Sequence, residues 1–305
     1  MKLASTTCDF ARYNISDKER IKYLADAGFK YIDFDFYSQV TTDSEFYKDT
    51  WKQYTYDLRE YGEKLGVKFV QAHAPNSNPL QQNGKDWDVL LQITKNSIEA
   101  CEILGIKNNV YHAGWDGPIS TEEYYKRNLE FLQLLMPIME KTGVTMLVEN
   151  STKVNMTTNR YFITGKDMSD FIEYVNHPLV AVCWDTGHAN CEGNQYKEII
   201  DLGKNLKGLH VNDNRGERDE HLLPYCGTTN FDEVIKALID IKYDGYFTFE
   251  CCSTLRPAKY WLGNRREFAD SNIICDPTVE LDRKHEVLLY MTGKHMLSSY
   301  GIFEE

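Results

Sequence analysis

Several things are missing from this 305-residue chain, and each absence excludes something. No run approaches the roughly 18 apolar residues of a membrane span, so none is expected. The opening stretch, MKLASTTCDF, lacks the long apolar core of a signal peptide. The eight cysteines (Cys8, Cys101, Cys183, Cys191, Cys226, Cys251, Cys252 and Cys275) are scattered and form no C-x-x-C pair. They read as reduced thiols in a cytoplasmic protein. Blocks of Lys and Arg are absent as well. The densest basic pair is Arg265-Arg266, and 34 basic against 46 acidic residues leave a net charge of −12. Such a surface repels phosphate backbones, which disfavours nucleic acid as a partner.

What is present is an alternation of short apolar runs and amphipathic stretches. The runs 2–8, 30–36, 67–73, 108–114, 144–150, 179–185, 206–212 and 246–252 are rich in Val, Phe and Tyr. Apolar residues throughout a short run mark a strand buried on both faces. Between the runs lie helix signals. Ser16 with Glu19, and Ser120 with Glu123, have capping-box spacing, and Gly28 and Gly143 close the stretches that follow. Segments 85–104 and 232–241 carry apolar residues at three- and four-residue steps. Pro137 is expected to kink its helix. About eight β-then-α units in a chain this long predict an α/β fold, a (β/α)8 TIM barrel. A doubly wound sheet is the rival, but no Gly-rich phosphate loop follows the first strand. The expected division is a barrel core over 1–252 and a C-terminal extension over 253–305. That extension, with a final helix near 278–300, packs on the barrel or makes the contact of a homo-oligomer.

In such a barrel the chemistry sits where strands end. Six of the eight runs end at or near a metal-ligand type: His73, His112, Glu149, Asp185, His210 and Glu250. Carboxylates gathered in one small volume repel each other, and a divalent cation is the simplest compensation. Two Glu, one Asp and one His suit Mn²⁺, Co²⁺ or Mg²⁺, with Zn²⁺ also open. Ligation by the further histidines would shift the site toward Zn²⁺. The structural alternative is a salt-bridge network inside the barrel mouth.

Together the motifs Val148-Glu149-Asn150, Trp184-Asp185-Thr186-Gly187-His188, Leu209-His210-Val211-Asn212-Asp213, Asp219-Glu220-His221-Leu222 and Phe249-Glu250 give the chain a family resemblance. Across most of 1–252 it resembles the xylose-isomerase-like superfamily of TIM barrels. That group includes sugar isomerases, ketose 3-epimerases, inosose dehydratases and endonuclease IV. In the isomerase and epimerase branch, the resemblance implies one divalent cation held by Glu149, Asp185, His210 and Glu250. Glu149 and Glu250 would then be the acid and base acting on a small sugar or polyol. It implies substrate contacts from His188 and from an arginine, with Arg215 and Arg218 both candidates. The wider endonuclease IV constellation is matched by His73, His112, His188, Asp219 and His221, which implies a second or third zinc. The readings carried forward are a metal-dependent sugar isomerase or epimerase, a dehydratase of a cyclic polyol, a multi-metal phosphodiesterase, and a sugar-binding barrel without catalysis.

Some residues have plainer readings beside the functional ones. Trp115, after the fourth strand, is either a platform for a sugar face or a rim tryptophan. Cys251 and Cys252 read as buried strand thiols. His177, His285 and His295 fall on helices or their ends and read as surface residues.

Overall fold

Eight of the apolar runs become eight parallel strands: β1 (Lys2–Thr6), β2 (Tyr31–Asp35), β3 (Lys68–His73), β4 (Asn108–Tyr111), β5 (Thr145–Glu149), β6 (Val180–Asp185), β7 (Leu206–His210) and β8 (Tyr246–Phe249). The structure is a computed structural model and describes residues 1–82, 84, 86–114, 117–155, 161–255 and 275–305. The hydrogen-bonded order is β7-β6-β5-β4-β3-β2-β1-β8. A parallel bridge between Val211 and Phe249 joins the two ends, so the sheet curls into the expected barrel. The strands are shorter than the apolar runs by one to three residues at most ends. After Thr6, for example, the chain enters a 3-10 turn (Thr7–Phe10), because the Thr6 side chain accepts from Cys8 N.

Around the strands run α1 (Asp17–Ala27), α2 (Trp51–Leu65), α3 (Trp87–Leu104), α4 (Thr121–Thr142), α5 (Gly165–Val175), α6 (Thr186–Asn190), α7 (Gln195–Leu202), α8 (Phe231–Asp240) and α9 (Val279–Ser299). The Ser16–Glu19 capping box forms in full at α1. At α4 only half forms. Ser120 accepts from Glu123 N, while the Glu123 carboxylate is drawn to Arg127 at 2.7 Å. Both helices end on a glycine in the left-handed region, Gly28 and Gly143, as the sequence predicts. Pro137 lies inside α4, which continues past it to Thr142.

The main core lies between strands and helices, built from side chains such as Phe34, Phe69, Leu132, Trp184 and Phe249. A second, small cluster of Val110, Leu147, Ala181 and Cys183 fills the barrel interior. Inside the barrel, the space toward the carboxyl ends of the strands is occupied by polar side chains. The final helix, α9, covers β1 and β8: an added Cβ at Gly293 would meet the Phe249 ring at 2.6 Å and Leu3 at 2.9 Å. Ser5 Oγ donates to Glu286 Oε2 at 3.0 Å, and Tyr290 stands edge-on to Phe29. This packing corrects the surface reading of His285, which is buried beside Glu286. His295 is exposed as expected.

Candidate metal centre

Strand direction decides which groups meet. His73, Glu149, Asp185 and His210 are the last residues of β3, β5, β6 and β7. His112 and Glu250 come one residue after β4 and β8. His188 stands on α6, a short helix that begins when Asp185 Oδ1 accepts from His188 N at 2.6 Å. Asp219 and His221 lie on the loop between β7 and α8. Gly187 lets α6 sit this close: an added Cβ would stand 1.9 Å from Asn212 Oδ1. Asn212 in turn donates to Asp185 Oδ2 at 2.7 Å, and Asn150 Oδ1 accepts from Asp185 N at 2.5 Å.

The nine side chains form four clusters whose donor atoms lie within 4.8 Å of one another; one of the four, His73–His210–Glu250, only recombines members of two others. Glu149, Asp185, His210 and Glu250 form the deepest, with His210 Nδ1 at 2.9 Å from Glu149 Oε1 and 3.6 Å from Glu250 Oε2. His73 and His112 meet the other oxygen of Glu149, with Nε2 atoms at 3.4 and 2.8 Å from Oε2 and 3.2 Å from each other. In the third, the Nε2 atoms of His188 and His221 stand 3.1 and 3.2 Å from the two oxygens of Asp219.

The tautomers follow from the outer contacts. A backbone carbonyl only accepts, so an imidazole nitrogen beside one carries the proton. His73 Nδ1 lies 2.9 Å from Ala74 O, His188 Nδ1 2.8 Å from Asn150 O and His221 Nδ1 3.1 Å from Glu250 O. Each of these rings presents Nε2 inward, toward a carboxylate or another imidazole. Bare nitrogen lone pairs facing carboxylate oxygens repel unless a proton or a cation lies between them. Metal-ligating histidines share this outer-contact arrangement.

A divalent cation fits the donor set. Donor atoms around one ion, with bonds of about 2.1 Å, stand about 3.0 to 3.4 Å apart. The close pairs here span 2.8 to 3.6 Å. Glu149 Oε2 is buried, has His112 Nε2 at 2.8 Å, and still has no hydrogen bond of sound geometry. Asp219 Oδ1 is likewise buried without one.

The electrostatics are those of a crowded, dry pocket. Burial lifts the Glu250 carboxyl to about 7, against the pull of His210 and His221. Burial also opposes ionisation of Glu149, but the imidazoles of His210 and His112 win and hold it well below the usual carboxylate range. The balance at Asp219 is the same: burial is outweighed by His221 and His188. His188 would be lowered by burial, yet Asp185 and Asp219 raise it to about 10. Against the same burial, His210 is raised well above the ordinary range by Cys183, Glu250 and Glu149, and His221 by Asp219 and Glu250.

Above these groups opens a cavity of about 720 Å³. Tyr37, Tyr124 and Phe162 give it aromatic walls, and Asn76, Ser151 and Asn155 line it with neutral polar groups. No Lys or Arg is among the described residues that line it. The two candidate arginines lie outside this lining. Arg215 bonds to Glu220 at 2.9 Å with a largely exposed side chain, Arg218 is exposed, and neither lines the cavity. Trp115 lies outside the described residues. Cys251 is buried as expected, whereas Cys252 lines the cavity together with Cys8. Sequence reading also missed Asp33, Asn150 and Asn212 as supports of the ligands. The alternation in β2, where Asp33 and Asp35 interrupt apolar residues, was the available signal for the first.

Comparison with known proteins places these features in context. The family model described as "Xylose isomerase-like TIM barrel" matches residues 21–270. The uncharacterized protein MJ1311 of Methanocaldococcus jannaschii is 28% identical over 203 residues, 63% of this chain and 67% of that protein. A probable endonuclease 4 of Mesoplasma florum is 28% identical over 195 residues, 57% of this chain and 63% of that protein. Among solved structures, D-psicose 3-epimerase from Clostridium cellulolyticum H10 superposes with a TM-score of 0.74 at 18% identity, covering 97% of this chain and 99% of that one. The zinc-bound IOLI protein gives 0.73 at 19% identity, covering 98% and 99%. At such identities the structural likeness establishes the fold.

Proposed function

This chain belongs to the xylose isomerase-like TIM-barrel family, and on that premise we propose that it is a metal-dependent isomerase or epimerase of a small, uncharged sugar or polyol. One observation carries the reading. Glu149, Asp185, His210 and Glu250 converge beneath a cavity whose described walls offer aromatic faces and neutral polar groups but no Lys or Arg. Neutral hydrogen-bonding groups and rings suit hydroxyls and the C–H faces of a sugar. The epimerase and IOLI structures that share the fold support the same direction.

Bound by those four residues, a divalent cation would polarise a substrate carbonyl and so acidify the neighbouring C–H. The protein's own groups handle the proton. Glu250, whose own proton the cation displaces, is the carboxylate placed to take it. Glu149 lies on a strand three places round the barrel; in epimerisation it would return a proton on the other face after taking one from water, while Glu250 gives its own up to water. Asn150 and Asn212 fix Asp185. The test is elemental analysis of the purified protein, followed by a panel of unphosphorylated sugars watched for solvent deuterium uptake. A loaded protein that exchanges no C–H proton of any ketose, aldose or inosose rejects the proposal.

A second reading has a specific observation behind it. The His73–His112–Glu149 and His188–Asp219–His221 clusters offer places for further cations, as a multi-metal phosphodiesterase requires. Two or three bound ions with nicking of abasic DNA favour it, while one ion and no nicking remove it.

A further inference from the structure

His210 stands apart from the other site histidines whose outer nitrogen is described. His73, His188 and His221 each lean on a backbone carbonyl, whereas His210 Nε2 lies 3.2 Å from Oδ2 of Asp33, a fully buried carboxylate on β2. We propose that Asp33 is the positioning residue of the centre: held by Gln71, it fixes the His210 ring with Nδ1 turned toward Glu149 and Glu250 and makes that nitrogen a stronger ligand. This rests on the reading of the centre as a cation site.

The sequence builds this support in several steps. The β2–β3 register shifts between Ile32 and Asp33, so that Asp33 pairs with Gln71 rather than with Val70. A one-residue shift reverses which face a side chain takes, and this one places Asp33 and Gln71 on the interior side together. Gln71 Nε2 then donates to Asp33 Oδ2 at 3.1 Å and to Leu209 O at 3.1 Å, so one amide ties the carboxylate to the strand that carries His210. Gly208 leaves room for it, since an added Cβ would meet Gln71 Oε1 at 2.6 Å and Leu147 Cδ1 at 2.5 Å. Three strands thus converge on a single oxygen of Asp33.

Chemistry gives the arrangement its purpose. An imidazole has two nitrogens, and its neutral form places the proton on either. A carboxylate at Nε2 holds the proton there and leaves the Nδ1 lone pair facing Glu149 Oε1 at 2.9 Å and Glu250 Oε2 at 3.6 Å. A purely structural contact needs only an acceptor, which an amide oxygen supplies. Here a charged group is buried instead, with its second oxygen, Oδ1, left without a hydrogen bond. A negative charge behind the ring raises the basicity of the nitrogen in front, as carboxylate partners do for metal-bound histidines.

The experiment compares the full chain with the D33N and D33L variants. Zinc affinity is read by competition with a chromophoric chelator, and the protonation of each imidazole nitrogen by isotope-edited NMR of the zinc-loaded protein. In the wild type, His210 is expected to carry its proton on Nε2 with Nδ1 bare. The opposite pattern overturns the proposal without any variant. D33N keeps an acceptor but no charge, and should keep the proton on Nε2 while binding zinc about tenfold more weakly. D33L keeps neither, and should lose about ten- to a hundredfold in affinity with a changed ring pattern. Wild-type affinity in D33N reduces Asp33 to a bare acceptor and overturns the charge argument, even where D33L fails to fold. If the wild type binds no zinc, the cation reading itself fails. Zinc binding with unchanged affinity and unchanged ring signals in a folded D33L fails this inference alone.

Discussion

Loading the metal-free protein with a cation at pH 7 must expel protons, and the structure says how many. His210 is raised well above the ordinary histidine range and holds its proton at neutrality. Glu250, at about 7, holds about half a proton. Glu149 is depressed and holds none. Filling the Glu149–Asp185–His210–Glu250 cluster therefore releases about one to two protons per ion. The sign follows: protons compete with the cation, so affinity rises with pH, by roughly ten- to a hundredfold per unit around pH 7. If the His188–Asp219–His221 cluster also fills, His188 (about 10) and His221 (well raised) add about two more protons. Calorimetry in buffers of different ionisation heat counts the protons, and elemental analysis counts the ions. Release of fewer than about half a proton per ion, or affinity that is flat between pH 6 and 8, refutes this account of the site.

Glu250→Gln should lower turnover about a hundred- to ten-thousandfold, the usual worth of a positioned acid or base, while some cation binding persists; near-normal turnover removes Glu250 from that role. Gly187→Ala forces a methyl toward Asn212 Oδ1, which an added Cβ would approach to 1.9 Å. The cost of about 1–3 kcal/mol corresponds to a melting point lower by about 2–5 °C in a chain this long. It should come with weaker cation binding through Asp185, and a variant that melts and binds like the wild type contradicts the packing. Stripping the cation with a chelator, then restoring it at a thousandfold over Kd, should recover about 4 kcal/mol, visible as a reversible rise in melting temperature; no change on stripping counts against a native cation.

How much of this was legible in the sequence depends on whether a residue's role is set locally. Strand ends were legible because an apolar run stopping at His73, Glu149, Asp185 or His210 carries its own signal. The caps at Ser16 and Gly28 were legible for the same reason. Asp33 was not, since its meaning depends on a register shift with β3 and on a glycine in β7, far away in the chain. The direction of Arg215 was not legible either. A loop arginine beside Glu220 is drawn outward by a partner five residues away, and spacing after a strand does not show which of the two contacts wins. His285 was misread because its helix packs over β1 and β8, and a helix taken alone does not show which side the barrel covers.

The number of cations also fixes the charge that a substrate meets. Glu149, Asp185, Asp219 and Glu250 bring four negative charges to the clusters when ionised. With one divalent ion held by Glu149, Asp185, His210 and Glu250, protonated His188 and His221 balance the remainder of these four charges, and the Asp33 carboxylate behind His210 leaves the site no more than singly negative. An uncharged sugar then enters without an electrostatic penalty, and the absence of Lys and Arg from the described walls costs nothing. With three divalent ions the histidines must give up their protons to ligate, and the same carboxylates, Asp33 included, leave the site with surplus positive charge. Such a site attracts a phosphodiester without help from basic side chains. Cation stoichiometry and ligand charge are therefore one question. An assay that finds a single ion together with preference for a phosphorylated over an unphosphorylated sugar would break that link and, with it, the assignment of a neutral substrate.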